Sequence, residues 1–237
     1  IKKFIESYKI NMSECSDDVD SFNSFNDFFV RKMKPNTRPF DKDPDKLLSP
    51  GDGRIFAFEN IDANRLIQVK GFNYSLKELL MDESLASKYE GGTLVILRLC
   101  PLDYHRFHFI DGGKCGKSVR IKGHYYSVNP TALKTIPKVY CQNKREYSIL
   151  SSENFGDILY VEVGATSVGS IIQTYTPDHD IRRGDEKGFF KFGGSTLIMI
   201  LERNATTIDE EIIRQTNEGF ETKVLAGEVI GNKYKKA

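Results

Sequence analysis

The sequence predicts an α+β fold, a mainly antiparallel β body entered through an N-terminal helical and extended segment. Three observations carry that expectation. From Gly91 onward, runs rich in branched and aromatic residues alternate with Gly, Asn and Pro turns, the pattern of successive short strands. Ahead of Gly91, helical signals and prolines dominate. No internal repeat or low-complexity segment interrupts the chain, so a single domain over 1–237 is the simplest division at this length.

In order along the chain, residues 1–30 begin helical and turn aromatic. Phe22, Phe25, Phe28 and Phe29 fall at i, i+3, i+6 and i+7, which lays an aromatic stripe along one helical face. Core packing, a partner helix or a lipid surface would each use such a stripe. PNTRPFDKDPDK places Pro35, Pro39 and Pro44 within ten residues and reads as an extended connector. LLSPGDGRIFAF is a tight turn feeding an apolar strand. Ser75 and Glu78 form a capping box that opens one helix over YSLKELLMDESLASKYE. GGTLVILRLC, KSVRIKGHYYSV, DILYVEVGATSVGSIIQTY, FFKFGGSTLIMILER and ETKVLAGEVIG then read as strands. Within them LIMIL is short, continuous and branched, as a strand buried on both faces would be.

Composition narrows the function classes. Hydrophobic residues make up 39% and charged residues 28%, an ordinary globular balance. The net charge of +1 gives no global field for nucleic acid, and none is expected as a partner. Cys15, Cys100, Cys115 and Cys141 are scattered without a CxxC pair, which excludes the usual zinc spacings and offers no disulfide framework. A reducing compartment and no metal site are the expectations. No apolar run approaches the roughly 18 residues of a membrane span. The chain begins with Ile1 rather than Met, so the reading expects it to be N-terminally truncated.

Five places could carry chemistry. PLDYHRFH sets His105 and His108 three residues apart. They share a face on a helical turn and oppose one another in an extended segment, so spacing alone allows one joint function or two separate ones. A metal pair is the weaker option, because no third ligand accompanies them at a suitable spacing. Asp52, in SPGDGRI, either closes an Asx turn on its own backbone or sends its carboxylate across the fold. Ser127, in YYSVNP, precedes an Asn-Pro turn and reads as a turn hydroxyl or a polar contact. VGATSVGSI is small-residue-rich inside a β run, as where another backbone comes close. The stretch KFGGSTLIMIL adds Ser195 behind two glycines. Asp, His and Ser are the components of an activated nucleophile. The carbonyl nearest to Ser195 belongs to Gly194, which turns the question from hydrolysis to self-modification.

FNDFFVRKMKPNTRPFD, LLSPGDG, VKGFNYSLKELL, PLDYHRFH, YYSVNP, VGATSVGSI and FKFGGSTLIMIL, in that order, resemble the phosphatidylserine decarboxylase family from about Phe22 to Gly231. The resemblance implies a pyruvoyl enzyme made from a self-cleaving precursor. Ser195 would attack the Gly194 carbonyl, and elimination would leave a β chain 1–194 and an α chain 195–237 headed by a pyruvoyl group. It implies His108 as general base of that cleavage, Asp52 as its orienting carboxylate, and His105 as a group for decarboxylation. Ser127 would lie near the substrate carboxylate. The pyruvoyl ketone would take the substrate amine as a Schiff base and act as an electron sink, giving phosphatidylethanolamine and CO2. One departure stands out: Gly193 occupies a place where the family commonly has a larger apolar residue, often Leu, and an extra glycine loosens the loop.

A lipid substrate implies peripheral attachment, expected at the cytoplasmic face of a bacterial membrane. The aromatic face near Phe22–Phe29 and the basic residues Arg31, Lys32, Lys34 and Arg38 would assist it. A homodimer is a further family expectation. Two other classes stay open at this point: a serine hydrolase using Asp52, His108 and Ser195, although FGGSTLI lacks the GxSxG elbow, and a non-catalytic β-sandwich binding module.

Overall fold

The computed structural model describes all residues except 70, 71, 166–170, 193, 194 and 237. Its centre, among the described residues, is a nine-stranded antiparallel sheet. The strands run in the order Asp180–Ile181, Gly113–Cys115, Arg145–Ser152, Gly156–Val163, Ser195–Leu201, Thr93–Leu99, Gly53–Phe58 and Thr222–Val224, with Val119–Ile121 also pairing to Arg145–Ser152. Ser195–Leu201 lies in the middle, and all seven of its residues are buried, as the unbroken apolar run predicts.

Each face of this sheet is covered. On one, Ile96, Ile198, Ile200, Leu159 and Val161 pack under the helices Leu76–Leu80, Glu83–Lys88, Pro130–Thr135 and Val139–Gln142. On the other, Leu97, Leu197, Met199 and Tyr160 meet two three-stranded sheets. One of these is Ile171–Gln173, Glu186–Phe190 and Arg106–His108, and the other is Lys46–Leu48, Val229–Lys233 and Thr206–Ile208. The chain is therefore α+β with a mainly antiparallel β body and a helical N-terminal segment, as expected.

Local chemistry explains most of the elements and corrects some expectations. The Ser75–Glu78 capping box is present, but the helix it opens ends at Leu80. Met81 takes the left-handed conformation at φ 56°, and Asp82 caps a second helix, so the single expected helix is two. The aromatic stripe is not one helical face. A five-residue helix, Phe25–Phe29, begins after the Ser24 cap, while Phe22 lies outside it. Its rings turn inward, Phe28 and Phe29 being fully buried.

The helix Glu210–Glu218 is not anticipated above, although its signals are present. Asp209 caps it, Glu210 and Glu211 fill its first turn, and Gly219 ends it at φ 86°. The strand Arg145–Ser152 is likewise missed, because Arg145, Glu146 and Ser148 read as surface residues yet are buried. Arg145 spends its guanidinium on the carbonyls of Glu78, Leu79, Cys141 and Asn143.

Two contacts fix the platform beneath the histidines. Gly53 approaches the neighbouring strand so closely that a Cβ there would stand 2.6 Å from the Arg98 carbonyl oxygen. Lys187, in the strand beside Arg106–His108, reaches Glu162 of the large sheet at 2.7 Å with both side chains fully buried. Gln173 accepts a second bond from the Lys187 ammonium at 2.9 Å. Such a pair adds little net stability over apolar packing, but losing one member leaves a charge stranded. It ties the small histidine-bearing sheet to the large one.

Candidate active site

Ser195 heads its strand and pairs with Leu99 of Thr93–Leu99. The chain leaving Leu99 forms the loop that carries His105, so both groups belong to one end of the sheet. Asp103 shapes this loop: its carboxylate accepts the Cys100 N–H at 2.7 Å, and its own N–H returns to the Cys100 carbonyl. From the N-terminal segment, Arg31 donates to the carbonyls of Leu102 and Asp103. Arg106 forks onto Glu186 and donates through Nε to the Val30 carbonyl. Arg31 and Arg106 thus fasten the aromatic segment to the histidine loop.

His105 is fully buried, its ring 3.7 Å from that of Phe29. Its Nδ1 lies 2.9 Å from the Asp103 carbonyl. A carbonyl only accepts, so Nδ1 carries the proton and Nε2 presents a lone pair. Burial holds the imidazole pKa down at about 3, so the ring is neutral. Nε2 has no hydrogen-bond partner among the described residues. The His105 carbonyl accepts the Phe190 N–H at 3.0 Å, tying the loop to the chain that leads into Ser195. The Ser195 hydroxyl is fully buried and also without a partner among the described residues.

His108 faces elsewhere. Because the segment is extended, the two histidines do not share a face. The His108 N–H donates to the Pro50 carbonyl, which places it against the SPGDG turn. Its Nδ1 donates to the Gly184 carbonyl at 2.9 Å, and Nε2 accepts from the Tyr104 hydroxyl at 3.3 Å. Burial lowers its pKa, opposed by the Gly184 bond and the charges of Glu186 and Asp52. Burial also raises the Tyr104 pKa, which keeps the phenol protonated as the donor.

Asp52 does not close an Asx turn. Its carboxylate accepts a forked bond from Arg38 and the Ala226 N–H at 2.8 Å. The hydrogen bond that orients His108 comes from Gly184, and Asp52 acts on the imidazole through its charge. Ser127 accepts the Asn129 N–H at 3.2 Å, a turn hydroxyl in this structure. Asn143 docks its segment: the carboxamide pairs both ways with the Tyr126 backbone and donates to the Gly164 carbonyl. Gly193, Gly194 and residues 166–170 of VGATSVGSI lie outside the described residues.

Of the four basic residues expected at a lipid surface, Lys32 and Lys34 are exposed. Arg31 is buried in the loop contacts and Arg38 is committed to Asp52 and Glu14. Sequence reasoning missed Arg31, Arg106 and Gly184 as supports of the site, because their partners lie far along the chain, and it missed Tyr104 although His108 is only four residues away. No three His, Cys, Asp or Glu side chains are grouped for a metal among the described residues.

A buried neutral imidazole and a buried serine hydroxyl, neither Nε2 nor Oγ with a partner among the described residues, thus stand at one end of the antiparallel sheet. The comparisons name the class. The profile of the phosphatidylserine decarboxylase family matches residues 25–232, so the chain belongs to the phosphatidylserine decarboxylase family. It is 63% identical over 232 residues to the phosphatidylserine decarboxylase proenzyme of Ruminiclostridium cellulolyticum, covering 98% of this chain and 77% of that one. It is 56% identical to the proenzyme of the same name from Clostridium perfringens, over 98% of this chain and 79% of the relative. For the Clostridium tetani proenzyme the figures are 56%, 99% and 79%. Neither the serine-hydrolase reading nor the binding-module reading finds support in these relatives.

Proposed function

We propose that this chain is a precursor that cuts itself between Gly194 and Ser195 into chains 1–194 and 195–237, and then decarboxylates phosphatidylserine to phosphatidylethanolamine. Family membership supplies the activity and the precursor form. The observation that carries the site assignment is the Ser195 hydroxyl, buried at the head of the central strand and without a partner among the described residues. An unsatisfied buried hydroxyl costs about 1–3 kcal/mol, and a hydroxyl consumed in a reaction needs no permanent partner.

The cutting chemistry uses this chain's own atoms. Ser195 Oγ bonds to the Gly194 carbonyl carbon as its proton passes to a base, and the Gly194–Ser195 C–N bond breaks, turning amide into ester. Removal of the Ser195 α proton then expels Gly194 as a carboxylate and leaves dehydroalanine at 195. Tautomerisation, water and loss of ammonia give the pyruvoyl group. That group supplies an electron sink for the pair released with CO2. His108, neutral and fixed through Gly184, is the base in this reading, and the Asp52 charge favours its protonated form. His105, held in a dry pocket against Phe29, manages the proton delivered to the substrate α carbon, and Ser127 approaches the substrate carboxylate.

A second assignment has one observation in its favour. Nε2 of His105, without a partner among the described residues, lies in the loop joined to Phe190, five residues before Ser195, whereas Nε2 of His108 is engaged by Tyr104. It would exchange the two histidine roles.

The substrate is a lipid and, among the described residues, no helix is long and apolar enough to cross a membrane. Peripheral attachment at the cytoplasmic face, aided by Lys32 and Lys34, completes the reading. The test is a denaturing gel of the purified protein treated with phenylhydrazine. Two bands, the smaller blocked to Edman sequencing and labelled by the hydrazine, are expected. A single unlabelled chain with full decarboxylase activity would overturn the proposal.

A further inference from the structure

The geometry points to a role for the short helix Phe25–Phe29: it positions the segment to be cut by holding Phe192. This rests on the self-cleavage reading above. The Phe192 N–H donates to Asn26 Oδ1 at 3.0 Å, across 166 residues of sequence. The Phe192 ring stands edge-on to Phe25 at 4.8 Å and to Phe29 at 5.1 Å, with interplanar angles of 89° and 81°. Phe29 itself lies on His105, so one ring touches both the lead-in to the cleavage bond and a site imidazole.

Core formation does not explain this arrangement. Phe192 remains 38% exposed, and a ring placed for burial would sit deeper. The contacts instead fix where the chain is. Two glycines follow Phe192, and glycine gives the backbone its widest range of conformers. On the far side Ser195 is held in a strand paired along both edges. A Gly-Gly span anchored at one end only would search many conformers before Oγ met the Gly194 carbonyl. Anchoring Phe192 as well shortens that search, which is how positioning accelerates an intramolecular attack.

The experiment is a time course of cutting during cell-free synthesis, comparing the parent with Asn26→Leu, Asn26→Asp and Phe192→Ala, and melting each purified protein. Asn26→Leu keeps the size and removes the acceptor, and should slow cutting about three- to tenfold, the worth of one ordering hydrogen bond. Phe192→Ala should slow it by about the same factor through lost edge-to-face contacts. Asn26→Asp keeps an acceptor oxygen and should cut within about twofold of the parent, and Asn26→Leu should slow cutting without a matching fall in melting temperature, which a merely structural role would produce. Asn26→Leu cutting at the parental rate, or Asn26→Asp as slow as Asn26→Leu, would overturn the inference. Phe192→Ala sits on an exposed ring, so it keeps the question answerable if Asn26→Leu fails to fold, and parental cutting by it would then be the contrary result. A parent that never cuts overturns the self-cleavage reading and this inference together. A parent that cuts alongside three variants at one common rate overturns only the inference.

Discussion

Asp52 and Ser195 are both buried at the same end of the large sheet, yet their surroundings are opposite. Both Asp52 oxygens are held, by the Arg38 fork and the Ala226 N–H. The Ser195 hydroxyl and the His105 Nε2 are held by nothing among the described residues. The hydroxyls of Tyr74, Tyr89, Ser148, Thr196 and Thr222 and the Arg31 Nε are likewise without a partner among the described residues, so Ser195 and His105 are set apart by their place at the sheet end that carries the histidine loop. A saturated corner preserves shape and its loss is felt as stability. In the proposed mechanism the unsaturated corner is where bonds change, so its loss should be felt as chemistry.

The largest break in that comparison is Ser195→Ala. With no oxygen to accept the Gly194 acyl group, the chain should stay whole and inactive on a gel and in a CO2-release assay, while its melting temperature is unchanged or raised by removal of an orphaned hydroxyl. Next is His108→Ala, which should lose the roughly 10²–10⁴-fold that a general base contributes and accumulate as one uncut chain. His105→Ala should cut in large part and turn over poorly. If the two mutants show the opposite behaviour, the second histidine assignment above is the right one.

Asp52→Asn sharpens the contrast from the other side. Cutting should slow less than in His108→Ala, since the imidazole keeps its bond to Gly184. Arg38, however, loses its nearest charge, and unfolding free energy should fall by about 1–3 kcal/mol in denaturant titration. Acid adds a graded effect. His105 titrates near 6.5 when unfolded and about 3 when folded, so between those values the unfolded chain binds the extra proton. Its contribution is intact above pH 6.5 and is lost as pH falls towards 3, with a slope of about 1.4 kcal/mol per pH unit for this one group. Melts from pH 7 to pH 4 of the parent and His105→Phe, which lacks that proton site, should diverge accordingly. Ser127→Ala should have the least effect, a few-fold rise in KM at most, because its hydroxyl is spent on a local turn.

How much was legible in the sequence follows the reach of each interaction. The capping box, the Pro-rich connector and the LIMIL strand depend on neighbours within a few residues, and the order of motifs was enough to place the family. The strand Arg145–Ser152 was hidden because its buried charges find partners through tertiary placement: Arg145 donates to the Leu79 carbonyl, 66 residues away, and Glu146 pairs with Arg120. The helix after Asp209 carried readable caps that were passed over. The histidine spacing could not choose between a shared face and opposed faces, and the extended backbone at Arg106–His108 made that choice. Asp52 was expected to hold His108 directly, whereas Arg38 takes its carboxylate, a partner that the connector brings from 14 residues upstream. Hydrogen bonds of this kind are set by tertiary placement and leave no local pattern.

The most direct test of the account is the intact mass of the purified protein under denaturing conditions. The account predicts two chains, one ending at Gly194 and one beginning at position 195 that is lighter than the unmodified 195–237 peptide by one ammonia. A small chain with a free Ser195 amine, a cut at any other bond, or one uncut chain with full activity would contradict it.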